Sequence, residues 1–556
     1  MKDKIKTDKN IRDIIFTIFS VLVILIFCFS LTPISFQNDT FYTIKIGEYI
    51  TQNGIDMQDP FSWHEDLAYT YPHWLYDLLT YFIYSFFGMQ GIYITTVILT
   101  CILGLTLFFT NKKISKNTII AFLITIVVMY LIRGYITARA QLVTFILFVI
   151  SVYFIEKFLE TTKRRYVLGL IIIPIMLANL HLAVFPFYFI LYLPYIAEYL
   201  IALLAEIIIY KKVDVLLLKF KISNLSKKGN NVEAIERVKS KLKELQNKID
   251  RIKVKRSKEL QNPYKIRLKK NNNVRWLIVI MIICLFTGFL TPLGTTPYTY
   301  LYKTMQGNTT ENINEHLPMT LANESEVLSV LVVFLAIMIF TKTKIRLADL
   351  FMIAGLCYLM LVTKRQVTMF LLIGSFIFSR LFMELIQIYN IDILKKALNT
   401  KTGNAVLILM MVLIIYSGVG FIKDREEEEY VDASSYPVAA CDNILEYIDL
   451  TKAKFYNEYN YGSYMLFRGI PVFIDSRADL YAPEFSGKED DIFMDFIETS
   501  SIAKFYEDVF EKYGITHIIT YENSKTNMII EKTNYPGYTQ LYKDNKFVIY
   551  ERTVNN

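Results

Sequence analysis

Residues 14–34 read IIFTIFSVLVILIFCFSLTPI, a run without a single charge. About 20 apolar residues suffice to cross the hydrocarbon core of a bilayer. The run is too long for the apolar part of a cleaved leader, and no small-x-small cleavage site follows, so it reads as a retained span. Ten further segments have the same character: 90–110, 118–137, 141–158, 165–181, 184–208, 275–293, 326–341, 346–363, 366–387 and 403–422. Residues 74–87 (WLYDLLTYFIYSFF) differ, because Asp77 interrupts a short run. They read as an amphipathic helix lying at the membrane face. Composition agrees. Of 556 residues, 53% are hydrophobic and only 20% charged, against about 25% charged in a soluble domain. Disorder, a collagen-like repeat and a simple soluble enzyme are excluded. Cys28, Cys101, Cys284 and Cys357 lie in apolar runs, which leaves Cys441 without a soluble partner and excludes a disulfide framework.

Lys and Arg concentrate on the cytosolic side of membrane proteins. The basic N-terminus (MKDKIKTDKN) therefore belongs inside. Strict alternation then places 111–117, 159–165, 209–274, 342–346 and 388–402 (with Lys395, Lys396 and Lys401) inside, and each is basic. The outside set is 35–89, 294–325 and everything after 422, all acidic or mixed. The expected fold is a polytopic α-helical protein of the plasma membrane with about 11 spans. Its N-terminus is cytosolic and a C-terminal α/β domain is extracytoplasmic. The expected domains are a membrane half over 1–210 with its first outer loop at 35–89, a basic insertion at 211–274, a second membrane half at 275–422, and a soluble domain at 423–556.

Residues 211–275 carry 21 Lys and Arg against 6 Asp and Glu, a net of +15 where the whole chain has +8. Ile235, Val238, Leu242, Leu245, Ile249 and Ile252 follow a 3-4 spacing, and Pro263 ends the pattern. This is either a docking helix for a cytosolic partner or anionic lipid, or a solvated helical hairpin. No aromatic residues interleave with the charges as nucleic-acid stacking requires, so nucleic acid is not an expected partner. Residues 423–556 hold 14 basic and 25 acidic residues, a net of −11. Strand-like runs at 453–459, 471–475, 515–521 and 546–551 alternate with helical patterns over 490–513 and 523–533. That alternation predicts a small, partly parallel sheet. No phosphate-binding glycine loop, HExxH, CxxC or GxSxG is present.

Ionisable groups at membrane depth are costly and usually functional. Asp39 follows the first span. Arg133 and Arg139 flank the outer turn between the third and fourth spans. Asn179 and His181 end the fifth, and Lys364 and Arg365 form the turn between the ninth and tenth. Glu311, Glu315 and His316 lie in the outer loop 294–325. Cations at outer turns run against the inward bias, and a bound anion would explain them. Plainer readings stand beside this one. Asp39 suits the N-cap of a helix over 41–52. Arg133 and Arg139 suit snorkelling to headgroups, and His181 a satisfied interfacial histidine. Asp475, Arg477 and Asp479 (FIDSRADLY) suit a structural ion pair within a turn.

The first outer loop, NDTFYTIKIGEYITQNGIDMQDPFSWHEDLAYTYPHWLYDLL, resembles that of the GT-C glycosyltransferase superfamily, in particular its RgtA/B/C/D-like group. The shared markers are Asp39 just after the first span, Gly47, Ile50 and Gly54, the run Asp59-Pro60-Phe61-Ser62, and Trp74-Leu75. Arg139-Ala140-Gln141, Asn179-Leu180-His181, Thr291-Pro292-Leu293-Gly294, the Arg365 turn and the tail NYGSYMLFRGIPVFIDSRADLY add to the resemblance, which covers most of the chain outside 211–273. The family often has a second acidic residue beside the first. Here Asn38 and Thr40 flank Asp39.

The resemblance implies an enzyme that takes a sugar from a polyprenyl phosphate and gives it to a glycan, lipid or protein acceptor in the cell envelope. Phosphate is already a good leaving group, so a second carboxylate acting as acid is not needed, unlike in glycoside hydrolysis. The minimum set is one base and cations for the developing phosphate charge. The resemblance assigns Asp39 as base or metal ligand and Arg139, Lys364 and Arg365 as phosphate clamps. Arg133, Asn179, His181, Glu315 and His316 are further candidates for substrate contact. A divalent cation is compatible with this set but nothing in it requires one, and the sequence leaves the metal unknown. The rival readings are a non-catalytic scaffold of the same fold and a transporter of lipid-linked glycans. A transporter would tend to show mid-span charges and repeated halves with broken helices.

Overall fold

The computed structural model describes residues 2–209, 211–227, 232–258, 265–320, 324–391, 397–533 and 536–553. Pro263, Lys395 and Lys396 lie outside the described residues. The chain opens with α1 (Lys2–Leu31), α2 (Asn38–Asn53) and α3 (Trp74–Ser115). Gly88, at φ 62° and ψ −157°, breaks α3. A positive φ is open to glycine at little cost, so the break falls between the amphipathic 74–87 stretch and the apolar run after it. The first half continues with α4 (Thr118–Leu131), α5 (Ala140–Thr161), α6 (Arg164–Leu180), α7 (Phe185–Ile190) and α8 (Leu193–Ile209). The second comprises α11 (Val274–Leu285), α12 (Thr296–Gln306), α13 (Thr309–Asn312), α14 (Ser325–Phe340), α15 (Leu347–Val362), α16 (Val367–Ile388) and a helix over Lys401–Lys423 that packs against α1.

Each of the eleven segments expected to span is helical over most of its length. Six helical stretches are long and apolar enough to cross a membrane, judged by length and composition among the described residues: Ile11–Leu31, Trp74–Ser115, Ala140–Thr161, Leu182–Ile208, Lys364–Ile388 and Lys401–Lys423. α4, α14 and α15 are shorter. At 1.5 Å per residue, the 16 residues of α14 reach about 24 Å, less than a hydrocarbon core of about 30 Å. Helix length therefore supports a polytopic membrane fold with a smaller count than eleven full-length spans. α5 and α16 are the most enclosed helices of the body.

Between the halves lie α9 (Lys212–Lys227) and α10 (Val232–Lys258). α10 packs against α9, and Val238 and Ile249 of its apolar stripe are buried. The two helices pair through this stripe, as the hairpin reading of the insertion expects. The chain returns through β1 (Ile266–Arg267), which pairs parallel with β2 (Ile345–Arg346).

The C-terminal part holds β3 (Phe455–Tyr456), β4 (His517–Tyr521), β5 (Tyr538–Lys543) and β6 (Phe547–Arg552) in the order β3-β4-β6-β5. β3 and β4 are parallel and the other pairs antiparallel, so the sheet is partly parallel. One strand expectation is met only in part and one fails. The run at 453–459 yields a strand of two residues, and then a helix (Tyr459–Phe467) begins. The run at 471–475 forms no strand, although Val472, Phe473 and Ile474 are fully buried. The Asn457 side chain takes the place of a neighbouring strand. It accepts from the Phe473 N–H (2.8 Å) and donates to the Ile474 carbonyl (2.7 Å). Buried backbone groups need a partner, and a side-chain amide can supply both halves. β5 had no sequence signal, because Gln540 and Lys543 break up its apolar pattern.

This C-terminal part and the loop region 35–89 share one core. Phe41 of α2 packs edge-on against Tyr436 and Tyr464 at 4.9 and 5.1 Å. Arg477 is buried between Asp59 of the loop and Asp475, each at 2.6 Å. The ion pair expected within FIDSRADLY is present, but Asp479 instead accepts from Tyr300 (2.6 Å). The missing third member is Asp59, 418 residues earlier in the chain.

Removing one partner of a buried ion pair costs about 3–5 kcal/mol, because the other charge stays buried and unpaired. Arg477→Ala should therefore lower the unfolding temperature of the purified protein sharply, whereas Arg133→Ala at the surface should change it little. Burial pushes the Asp59 carboxyl up, but Arg477 and the Ser62 backbone outweigh it and hold its pKa below the ordinary value. A depressed folded-state pKa contributes stability at pH values above the unfolded pKa, about 4. That stability disappears as pH falls through the folded value. Thermal stability followed from pH 7 downward should therefore hold until about pH 4 and then fall, and the fall should be smaller in Asp59→Asn. Replacing 225–262 with a short polar linker should leave the unfolding temperature unchanged, since the hairpin packs chiefly on itself.

Candidate functional site

Gln37, not Asp39, is the N-cap of α2, with extended backbone at φ −81° and ψ 159°. Asp39 sits two positions further on, in the first turn, where a carboxylate meets the positive end of the helix dipole. The expected helix over 41–52 thus begins three residues earlier, and the cap assignment is corrected. α2 is fixed closely. Asn38 donates to the Tyr459 carbonyl (2.9 Å) and Thr40 to the Ala138 carbonyl (3.3 Å). A Cβ on Gly47 would lie 2.2 Å from the backbone oxygen of Asp77, so only glycine lets α2 lie this close to α3.

Arg139 is the N-cap of α5. Its guanidinium is shared. Nη2 is 2.5 Å from Asp39 Oδ2, and Nη1 is 3.1 Å from Glu315 Oε1. Burial works against its charge, but Asp39 and Glu315 outweigh that and hold its pKa above the ordinary value. Burial also raises the Glu315 carboxyl, but Arg139 and Arg365 bring it below the usual range. The Glu315 carbonyl accepts the Arg365 N–H (3.0 Å), and the Leu317 carbonyl accepts the Lys364 N–H (2.9 Å). These two bonds clip residues 315–317 to the turn at 364–366.

Asp39, Arg139, Arg365 and His181 line one small polar cavity together with Tyr42, Thr43, His73, Tyr76 and Gln141. His181 Nδ1 is 2.7 Å from Thr144 Oγ1, and its ring lies 4.9 Å from that of His73. Burial, with Arg365 and Arg139 adding to it, pushes His73 down to about 3. Burial and Arg365 push His316 down to about 4. Both imidazoles are therefore uncharged at neutral pH. The charges that remain are two carboxylates, Asp39 and Glu315, and two guanidiniums, Arg139 and Arg365. Arg365 makes no salt bridge within 4 Å among the described residues.

The other candidates lie elsewhere. Lys364 pairs with Glu324 at 3.2 Å and does not line the cavity. It and Arg365 sit in a 3₁₀ turn, where successive side chains point about 120° apart, so one turn cannot aim both inward. Arg133 pairs with Glu326 at 3.0 Å and lies over the Tyr130 ring at 4.0 Å. Asn179 is a staple: it accepts from Trp74 Nε1 (3.1 Å) and donates to the Leu290 carbonyl (2.9 Å). Glu311 starts no contact with the cavity. Tyr42 and Thr43 went unnoticed in the sequence, although they lie three and four positions after Asp39 and so share its helical face. Among the described residues, no group of three or more His, Cys, Asp or Glu side chains is placed to hold a metal ion.

A second, apolar groove abuts this cavity. Phe145, Phe148, Phe187, Leu356, Leu359, Met369 and Ile373 line it, and it ends on Gln141, His181 and Arg365, which both spaces share. Among the described residues, Arg365 is thus a cation without a salt bridge at the junction of an apolar channel and a polar chamber.

Comparison with protein-family models and with curated proteins gives no match. Among solved structures, the chain is similar to the archaeal oligosaccharyltransferase AglB from Archaeoglobus fulgidus, determined in complex with an inhibitory peptide and a dolichol-phosphate. The TM-score is 0.51 at 12% identity, and the match covers 96% of this chain and 74% of that one. The likeness extends over nearly the whole chain and shows a fold similar to that of AglB.

Proposed function

We propose that this protein is a membrane glycosyltransferase that moves a sugar from a polyprenyl-phosphate donor to an extracytoplasmic acceptor. The observation that carries the proposal is the meeting of the apolar groove and the polar cavity at Arg365. A lipid phosphate has these two chemistries joined at one point: an apolar chain and an anionic head. The polyprenyl tail would lie among Phe145, Phe148 and Met369, and its phosphate would reach Arg365 and then Arg139. The acceptor hydroxyl would approach Asp39.

In the reaction, the bond from the anomeric carbon to the phosphate oxygen breaks and a bond to the acceptor oxygen forms. The acceptor proton passes to the Asp39 carboxylate, and the leaving phosphate keeps the electron pair, with the two guanidiniums balancing its charge. With no donor, Arg139 ties up Asp39. An arriving phosphate competes for Arg139 and so frees the carboxylate to act as base. Gln141 and His181 supply further hydrogen-bonding groups.

Asp39→Asn retains size but loses the charge. With the variant reconstituted in proteoliposomes and a lipid-phosphate sugar as donor, turnover should fall by roughly 10²–10⁴ while expression and folding stay normal. Arg365→Ala should mainly weaken donor binding and raise KM, whereas Lys364→Ala should stay close to the parent protein. Near-normal turnover by Asp39→Asn would remove the catalytic assignment of Asp39, and no turnover by the parent protein would favour a scaffold role.

A further inference from the structure

A cavity of about 230 Å³ opens at the opposite end of the membrane body. α5 carries Arg139 at its N-cap and Glu156 seventeen residues later, and α16 follows Arg365 and carries Arg380. At 1.5 Å per residue the two sites are about 25 Å apart along α5. The segments that meet at this second cavity are the ends of α3 and α5, residues 269–271 and Arg346. These are segments that the charge bias places in the cytosol.

At its floor is an ion network. Arg346 pairs with Glu198 at 2.9 Å and with Glu156 at 3.3 Å. Arg380 pairs with Glu156 at 3.3 Å and with Asp349 at 2.6 Å. Tyr195 also donates to Glu156, at 2.8 Å. These three carboxylates outnumber the two arginines by one, and Lys157 is matched by Glu160 at 2.5 Å. The other cations on the wall are not matched. Lys113, Lys116 and Lys269 have no salt bridge within 4 Å among the described residues, and Lys113 reaches only the Tyr153 hydroxyl, at 3.1 Å. A second feature points the same way: Arg380 Nε is buried and has no hydrogen-bond acceptor. A buried donor left unpaired is costly, and an acceptor entering the cavity would satisfy it.

We propose that this cavity is a second anion site, which takes a phosphate group from the side opposite the Asp39 chamber. Three lysines without a salt bridge and a guanidinium N–H without an acceptor suit a ligand with several charged acceptor oxygens. The volume holds several water-sized groups at about 30 Å³ each. The phosphate belongs either to an anionic lipid headgroup or to a soluble phosphorylated compound. The basic insertion re-enters the body here: the Lys269 N–H donates to Glu198 (3.1 Å), and Lys270 pairs with Glu206 at 2.6 Å. An anion at this point would fasten the root of the hairpin to α5 and α16.

The test uses the full chain in phosphatidylcholine nanodiscs, with added inorganic phosphate or with phosphatidic acid in the disc. Retained lipid is read by native mass spectrometry, and phosphate binding by the shift in unfolding temperature. The variant Lys116→Gln/Lys269→Gln is compared with Lys163→Gln/Arg164→Gln, which removes the same charge outside the cavity. The parent and the control should bind, and the cavity variant should bind roughly tenfold more weakly or worse. Selective retention of phosphatidic acid assigns the lipid source, and a shift with inorganic phosphate assigns the soluble one. No binding of either probe by the parent, or equal loss in variant and control, would overturn the proposal.

Discussion

One buried guanidinium holds the first loop and the C-terminal part of this molecule together. Arg477 lies out of reach of water between Asp59 and Asp475. A lone cation there would be untenable, and so would either carboxylate alone. The excess negative charge of the trio is met by neutral donors: the Ser62 N–H to Asp59 (2.9 Å), and the Arg477 N–H (2.9 Å) and Tyr481 hydroxyl (2.6 Å) to Asp475. The Tyr69 ring lies 5.0 Å from the guanidinium. Each member satisfies the others, and they come from opposite ends of the chain. The first loop and the C-terminal part are therefore obliged to fold against each other.

The position of the candidate site follows from that closure. α2 is wedged between the amphipathic half of α3 and the helix Tyr459–Phe467, and both contacts are close: Gly47 on the Asp77 backbone, Asn38 on the Tyr459 carbonyl. Asp39 has no freedom of its own. It stands where it meets Arg139 because the aromatic core of Phe41, Tyr436 and Tyr464 fixes the helix that carries it. The C-terminal part thus belongs to the support of the site, although it contributes no residue to the cavity wall.

Much of this was legible in the sequence, for identifiable reasons. Apolar runs mark helices reliably, since burying them in lipid or in the bundle is the same transfer from water. Asp39, Arg139, His181 and Arg365 stood out because each is a polar group at the end of an apolar run, and the structure brings all four to one cavity. Lys364, Arg133 and Asn179 stood out by the same signal, and it misplaced them. Depth along a helix can be read from spacing, but direction around it cannot be read at a short turn. Asn179 carries a further lesson: a buried amide at membrane depth often serves backbone carbonyls, as it does at Leu290. The run 471–475 misled for a different reason. Its apolar residues are as buried as any strand's, and whether the backbone pairs with a strand or with Asn457 is decided far from the run itself.

The charge balance of the two cavities separates their states. The Asp39 chamber is neutral as it stands, with two carboxylates against two guanidiniums, yet the pairing within it is uneven. Arg139 serves both Asp39 and Glu315, while Arg365 serves neither and faces the groove. A uniform pairing would use both cations and leave nothing for a ligand. Concentrating both carboxylates on one arginine keeps the other available at the cavity's apolar entrance. An anion entering from the groove would meet Arg365 first, at no cost in broken ion pairs, and only then compete for Arg139. Electrostatic work is thus deferred to the step at which Asp39 would be needed. The opposite cavity sets six cations, Lys113, Lys116, Lys157, Lys269, Arg346 and Arg380, against four carboxylates, Glu156, Glu160, Glu198 and Asp349, so its surplus is positive from the start. An anion there would neutralise charge that the fold itself leaves unmatched, and it would displace no internal ion pair to do so.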